Sequence, residues 1–99
     1  MKKGCMPVTT QLALARLKTQ VNPILTPAMQ DMARRSPTTV HVKTRIDEKG
    51  DALVLDAQGS VPMLNDVVRS AVEKWKFTPV MDDKGPRCAE TDIPVVIKP

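Results

Sequence analysis

Two adjacent carboxylate pairs, Asp47-Glu48 and Asp82-Asp83, are the arrangement a general acid and base could use. Each pair runs straight into lysine and glycine, as Asp47-Glu48-Lys49-Gly50 and Asp82-Asp83-Lys84-Gly85. Aspartate and glycine so placed are turn residues, which makes both pairs solvated loop tips. His41 is the single histidine and tyrosine is absent, so few side chains could serve as base or orienter. Cys5 and Cys88 lie far apart, and a structural zinc wants four ligands where His41 would add only one. A disulfide would need an oxidising compartment, and the separation of the two cysteines does not establish one; they are read as unpaired thiols. No Gly-rich phosphate loop, G-x-S-x-G or His-rich metal motif is present. The expectation is a protein that is not an enzyme and uses no cofactor or metal.

The elements that would carry these residues follow from periodicity. Leu14, Leu17 and Val21 recur at helical spacing, which predicts a helix over 9–21 ended by Asn22-Pro23. Thr26-Pro27 reads as an N-cap with proline at the first helical position, opening a helix to Arg35 whose apolar face is Ala28, Met29, Met32 and Ala33. From Thr38 the period becomes two: Val40, Val42, Thr44 and Ile46 share one face, and Thr39, His41, Lys43 and Arg45 form the wet one. A hairpin at residues 47–50 returns a second strand over 51–57, where Leu53-Val54-Leu55 is apolar on both faces and points to a central or doubly covered strand. Ser60 is expected to cap the next helix, with Pro62 in its first turn. Leu64, Val67, Val68, Ala71, Val72 and Trp75 then give the clearest amphipathic pattern in the chain. Beyond it Trp75, Phe77 and Pro79 alternate, residues 80–86 read as a polar loop, and 89–97 alternate as a last strand. Pro94 cannot donate to a ladder, so that strand belongs at a sheet edge or is bulged. Leu64, Val68, Val72, Trp75, Phe77 and Pro79 are the expected structural core.

Across 99 residues, 41% of them hydrophobic and 26% charged, one ordinary core can form. Residues 1–45 hold eight of the 15 Lys and Arg but only Asp31 of the 11 acidic residues. That asymmetry is read as a solvated basic surface, and with one Trp and one Phe there is little from which to build a base-stacking platform, so no nucleic acid is expected. Met1-Lys2-Lys3 resembles the start of a signal peptide, but Gly4-Cys5-Met6-Pro7 stands where the apolar segment should begin. The chain is read as a soluble piece that could be cut from a longer, membrane-tethered protein.

Four features in this order resemble one known family. They are the strand closed by Ile46-Asp47-x-x-Gly50, the break Gly59-Ser60, the helix Leu64-Asn65…Ala71-Val72-x-x-Trp75 running into x-Phe77-x-Pro79, and the final Ile93-Pro94-Val95 strand. Together they resemble the C-terminal domain of TonB-type energy transducers, over residues 23–97. The resemblance implies an α+β fold of two layers, a three-stranded antiparallel sheet with helices on one face, with residues 1–22 an N-terminal extension holding a short helix and 23–99 the domain. It implies a periplasmic location, a tether to an inner-membrane motor, and capture of a short segment of an outer-membrane transporter by strand addition. On the matching positions the binding edge would be Ala89, Glu90, Thr91, Asp92, Ile93, Val95 and Ile97, flanked by Pro23, Leu25 and Pro27. The chain departs from the family where Pro23-Ile24-Leu25-Thr26-Pro27 replaces a Pro-x-Tyr-Pro motif and Asn65 replaces an aspartate. The alternative is a stand-alone interaction or homodimerisation module without energy transduction.

Overall fold

The computed structural model describes residues 5–36 and 38–97. The structure is mixed α+β. In chain order it runs β1 (Met6–Pro7), α1 (Thr10–Ala15), β2 (Leu17–Thr19), α2 (Pro27–Arg35), β3 (Thr38–Ile46), β4 (Ala52–Gln58), α3 (Pro62–Val72), β5 (Lys76–Phe77), β6 (Val80–Asp82), β7 (Gly85–Arg87) and β8 (Ala89–Ile97). Among the described residues the main sheet has four strands in the order β1-β8-β3-β4, not three, because β1 adds in parallel to β8. The other two pairings in that sheet are antiparallel.

Alternation organises the sheet as the sequence pattern requires. Val40, Val42, Thr44 and Ile46 are buried, while Thr39, His41 and Lys43 are exposed and Arg45 is half-buried. Ala89, Thr91, Ile93 and Ile97 of β8 are buried on the same side. One apolar cluster joins that row to Ala13 of α1, Met29 and Ala33 of α2, and Leu64, Val68 and Val72 of α3. Residues 5–22 therefore contribute to the same core, through Ala13 with Val8, Leu17 and Val21 packed around it.

The expected first helix stops early. α1 ends at Ala15, Leu14 stays 43% exposed, and Leu17 enters β2. The cause is tertiary: β2 pairs with β5, the Thr78 amide donates to the Arg16 carbonyl (2.6 Å), and the Arg16 guanidinium donates to the Pro79 carbonyl (2.9 Å). Six residues of helical propensity cannot outweigh these long-range bonds. Thr26 caps α2 as expected, its hydroxyl accepting from the Met29 amide (3.3 Å). Ser60 does not cap α3. Val61 holds that position without a side-chain bond, and the Asn65 side chain instead donates to the Gly59 carbonyl (3.3 Å).

β4 is an edge strand, contrary to the central position its apolar run implied. The ladder slips between Lys43↔Asp56 and Thr44↔Val54, leaving Leu55 as the extra residue of a bulge. A bulge reverses the alternation, so Val54 and Ala57 both turn inward and the segment looks apolar on both faces, although Leu53 is 51% exposed. Residues 80–86 form not a plain loop but most of the β6–β7 hairpin, with Val80 buried beneath it. α3 gives way to a turn after Val72. Trp75 and Phe77 are then both buried, their rings 6.3 Å apart and tilted by 47°, with Trp75 Nε1 donating to the Val21 carbonyl (2.7 Å) and Pro79 half-buried beside them.

Candidate strand-addition edge

β8 is held on one side by β3 in unbroken register from Thr38↔Ile97 to Ile46↔Ala89. Pro94 lies opposite His41 without a bulge. On its other side the carbonyls of Cys88, Glu90 and Asp92 accept from the Met6 amide (3.0 Å), the Val8 amide (3.0 Å) and the Thr10 hydroxyl. Main-chain polar groups of successive strand residues point to opposite sides, so the even-numbered residues of β8 face away from β3. Pro94 is one of them, and its missing N–H removes nothing from the ladder to β3. Of the outward residues, Cys88, Glu90 and Asp92 are engaged by the N-terminal segment. On that outer side Pro94 and Val96 have no strand neighbour among the described residues.

This alternation redistributes the expected site. Ala89, Thr91, Ile93 and Ile97 point their side chains into the core and, with Val95, their main chains at β3. Glu90 and Asp92 face outward but belong to the occupied half. Pro94 and Val96, which the sequence-derived set omits, are the outward residues of β8 without a strand on that side among the described residues, and Val96 is 54% exposed. The signal that finds them is the parity of the buried row: once the odd residues are core, the even ones must carry the outer edge.

Pro23 and Leu25 do lie beside this open half. With Asn22, Val96 and Ile97 they line a groove of about 290 Å³, and the neighbouring Ile24 is 85% exposed. Pro27, at the first position of α2, is exposed and does not line the groove. The segment reaches this place because Val21 is tied to Trp75 and the α2 cap follows directly.

The occupied half is charged and the open half is not. On the outer sheet face Arg45 donates twice to Glu90 (2.7 and 3.1 Å), and His41 Nδ1 lies 3.2 Å from Asp92 Oδ2. Pro94 and Val96 stand opposite His41 and Thr39, with no acidic side chain in the open stretch.

Cys5 and Cys88, read from the sequence as unpaired thiols, form a disulfide. Their separation along the chain is no guide to their distance: the parallel register Met6↔Ala89 brings their Cα atoms to 4.9 Å. The carboxylate pairs hold turns. Asp47 Oδ1 accepts from the Lys49 and Asp51 amides (both 2.9 Å), and Asp82 Oδ1 accepts from the Lys84 amide (2.8 Å). That amide, with Arg87 beside it, keeps the Asp82 carboxyl below the ordinary carboxylate range, as the Lys76 ammonium does for Asp51. Among the described residues no cluster of three His, Cys, Asp or Glu could hold a metal, and no helix is long and apolar enough to cross a membrane. In comparisons with protein-family models, curated proteins and solved structures, no match is found.

Proposed function

We propose that this chain is a non-catalytic periplasmic adaptor, a two-layer domain of the TonB C-terminal type, that binds a short extended segment of an outer-membrane transporter. Binding is strand addition: the partner's main chain pairs with the outward groups of Pro94 and Val96, and its alternate side chains enter the groove beside Pro23 and Leu25. In the tethered protein this grip couples inner-membrane energy to uptake.

The observation that carries the reading is the half-edge of β8 over residues 94–97, which has no strand on its outer side among the described residues and lies next to a groove lined by Asn22, Pro23, Leu25, Val96 and Ile97. Edges are ordinarily covered, bulged, charged or broken by proline; over residues 94–97 this one is neither covered by a described strand nor bulged, and Pro94 leaves the Val96 N–H as its outward main-chain donor. The cystine adds support, because structural disulfides persist in oxidising compartments, of which the bacterial periplasm is one.

The test is a titration of the oxidised protein with synthetic peptides from the N-terminal segments of outer-membrane transporters, followed by backbone amide shifts. Shifts centred on Val96, Ile97 and residues 22–25 are expected. Binding elsewhere, or none at millimolar peptide, would remove the reading.

A further inference from the structure

We infer that Pro94 and Thr10 shorten the outer edge of β8 to a grip of three main-chain hydrogen bonds, and that this fixes where the partner segment can carry proline. The inference rests on the strand-addition reading for the identity of the partner but not for the pattern of bonds. β8 pairs with β3 without a slip from Thr38↔Ile97 to Ile46↔Ala89, so the division of its main-chain groups between the two sides holds along the whole strand. The Met6 and Val8 amides donate to the Cys88 and Glu90 carbonyls, which assigns the even-numbered residues to the outer side.

That side is occupied as far as Asp92. The Asp92 carbonyl accepts from the Thr10 hydroxyl, and Thr10 is the first residue of α1, which the fully buried Ala13 ties into the core. A partner strand therefore pairs only beyond Asp92. Over residues 94–97 the outward groups are the Pro94 carbonyl and the Val96 N–H and carbonyl, because Pro94 has no N–H to add. The described edge thus offers two acceptors and one donor.

The pairing rules turn these groups into a demand on the partner that is the same for either strand direction. In an antiparallel pair, one partner residue donates its N–H to the Val96 carbonyl and accepts the Val96 N–H, and the residue two positions later donates to the Pro94 carbonyl. In a parallel pair, one partner residue donates to the Pro94 carbonyl and accepts the Val96 N–H, and the residue two positions later donates to the Val96 carbonyl. Either way one residue supplies both N–H and C=O, and a second N–H follows two positions on. Proline is excluded at those two positions and tolerated between and outside them. Pro94 is the specificity-determining residue here, since another residue in its place would add an outward donor without touching the ladder to β3.

The test is an amide-to-ester scan, which deletes one peptide N–H at a time, of a transporter peptide that shifts Val96. A pentapeptide of alternating valine and threonine serves as an unrelated second probe, and both parent peptides are also titrated into Pro94→Val. Affinity losses of at least about fivefold are expected at two positions, two residues apart, with a smaller loss between them where the ester weakens the accepting carbonyl. Pro94→Val should bind the parent peptides about three- to tenfold more tightly through its added donor. Fivefold losses at three or more positions, or at none, or a Pro94→Val variant that binds no tighter, would overturn the three-bond grip while binding at residues 94–97 keeps the transporter reading. If only the unrelated pentapeptide shifts Val96 and shows the two-position pattern, the grip stands and the transporter reading falls. If neither probe shifts Val96 at millimolar concentration, both fall.

Discussion

The carbonyl of Gly50 accepts the Phe77 amide at 2.9 Å, and a Cβ on Gly50 would stand 2.0 Å from the Phe77 carbonyl oxygen. The β3–β4 turn and the corner after α3 are thus one contact, in which the turn closes on the backbone of the chain's only phenylalanine. Gly50 also has φ of +89°, a conformation that L side chains rarely adopt.

Gly50→Ala is therefore expected to lower stability by about 2–4 kcal/mol, combining strain with a main-chain clash. Gly85, with φ of +114° but nothing within 4 Å of an added Cβ, is the control. Gly85→Ala should cost only about 1 kcal/mol. Urea unfolding of both variants checks the ordering, and equal losses would show that the Phe77 contact does not matter.

Trp75 contributes a buried ring and a buried donor. Trp75→Ala should cost about 3–5 kcal/mol in chemical denaturation. Trp75→Phe should cost less in packing but leave the Val21 carbonyl without its partner, a loss of about 1–3 kcal/mol. A loss below about 1 kcal/mol for the alanine variant would mean that the ring is peripheral.

Val96→Pro removes the one outward N–H of residues 94–97 while sparing the bonds to β3. Peptide affinity should fall at least about tenfold, since a main-chain donor is lost from the strand pairing. The Tm should move little. Undiminished binding would place the partner away from this edge.

Acid should destabilise through Asp51 and Asp82. Both carboxyls are held below their ordinary value of 3.8, so the folded state binds protons less readily than the unfolded chain. Their contribution is fully present above about pH 3.8 and is lost as pH falls through the lower folded values. Thermal melts from pH 5 to pH 2 should show a shallower fall for Asp51→Asn and Asp82→Asn than for the parent; identical slopes would assign the acid sensitivity elsewhere.

The disulfide closes a loop with a sequence separation of 83. Reduction should lower stability by about 2–4 kcal/mol, the usual range for such closures. Urea midpoints with and without dithiothreitol measure this, and coincident midpoints would mean that the link restrains nothing the fold does not already hold.

Much of this was legible in residue order. The alternation from Val40 to Ile46, the amphipathic stripe from Leu64 to Val72, and the Trp75-x-Phe77 pair name most of the core, because burial of one face imposes a period that local sequence must carry. Thr26-Pro27 named its helix start for the same local reason. Leu55 misled because a bulge changes the period in mid-strand, and Leu17 because a strand pairing overrode helical propensity.

Edges and partners are another matter. Residue order determined that β8 alternates and that Pro94 cannot sit between two strands. Only the tertiary structure decided that Cys5 meets Cys88, that β1 fills the Glu90 side of the edge, and that Pro94 and Val96 are left open beside Pro23 and Leu25. The physical reason is range: a strand's period is written in neighbours two residues apart, whereas its open side depends on which distant segment arrives to pair with it.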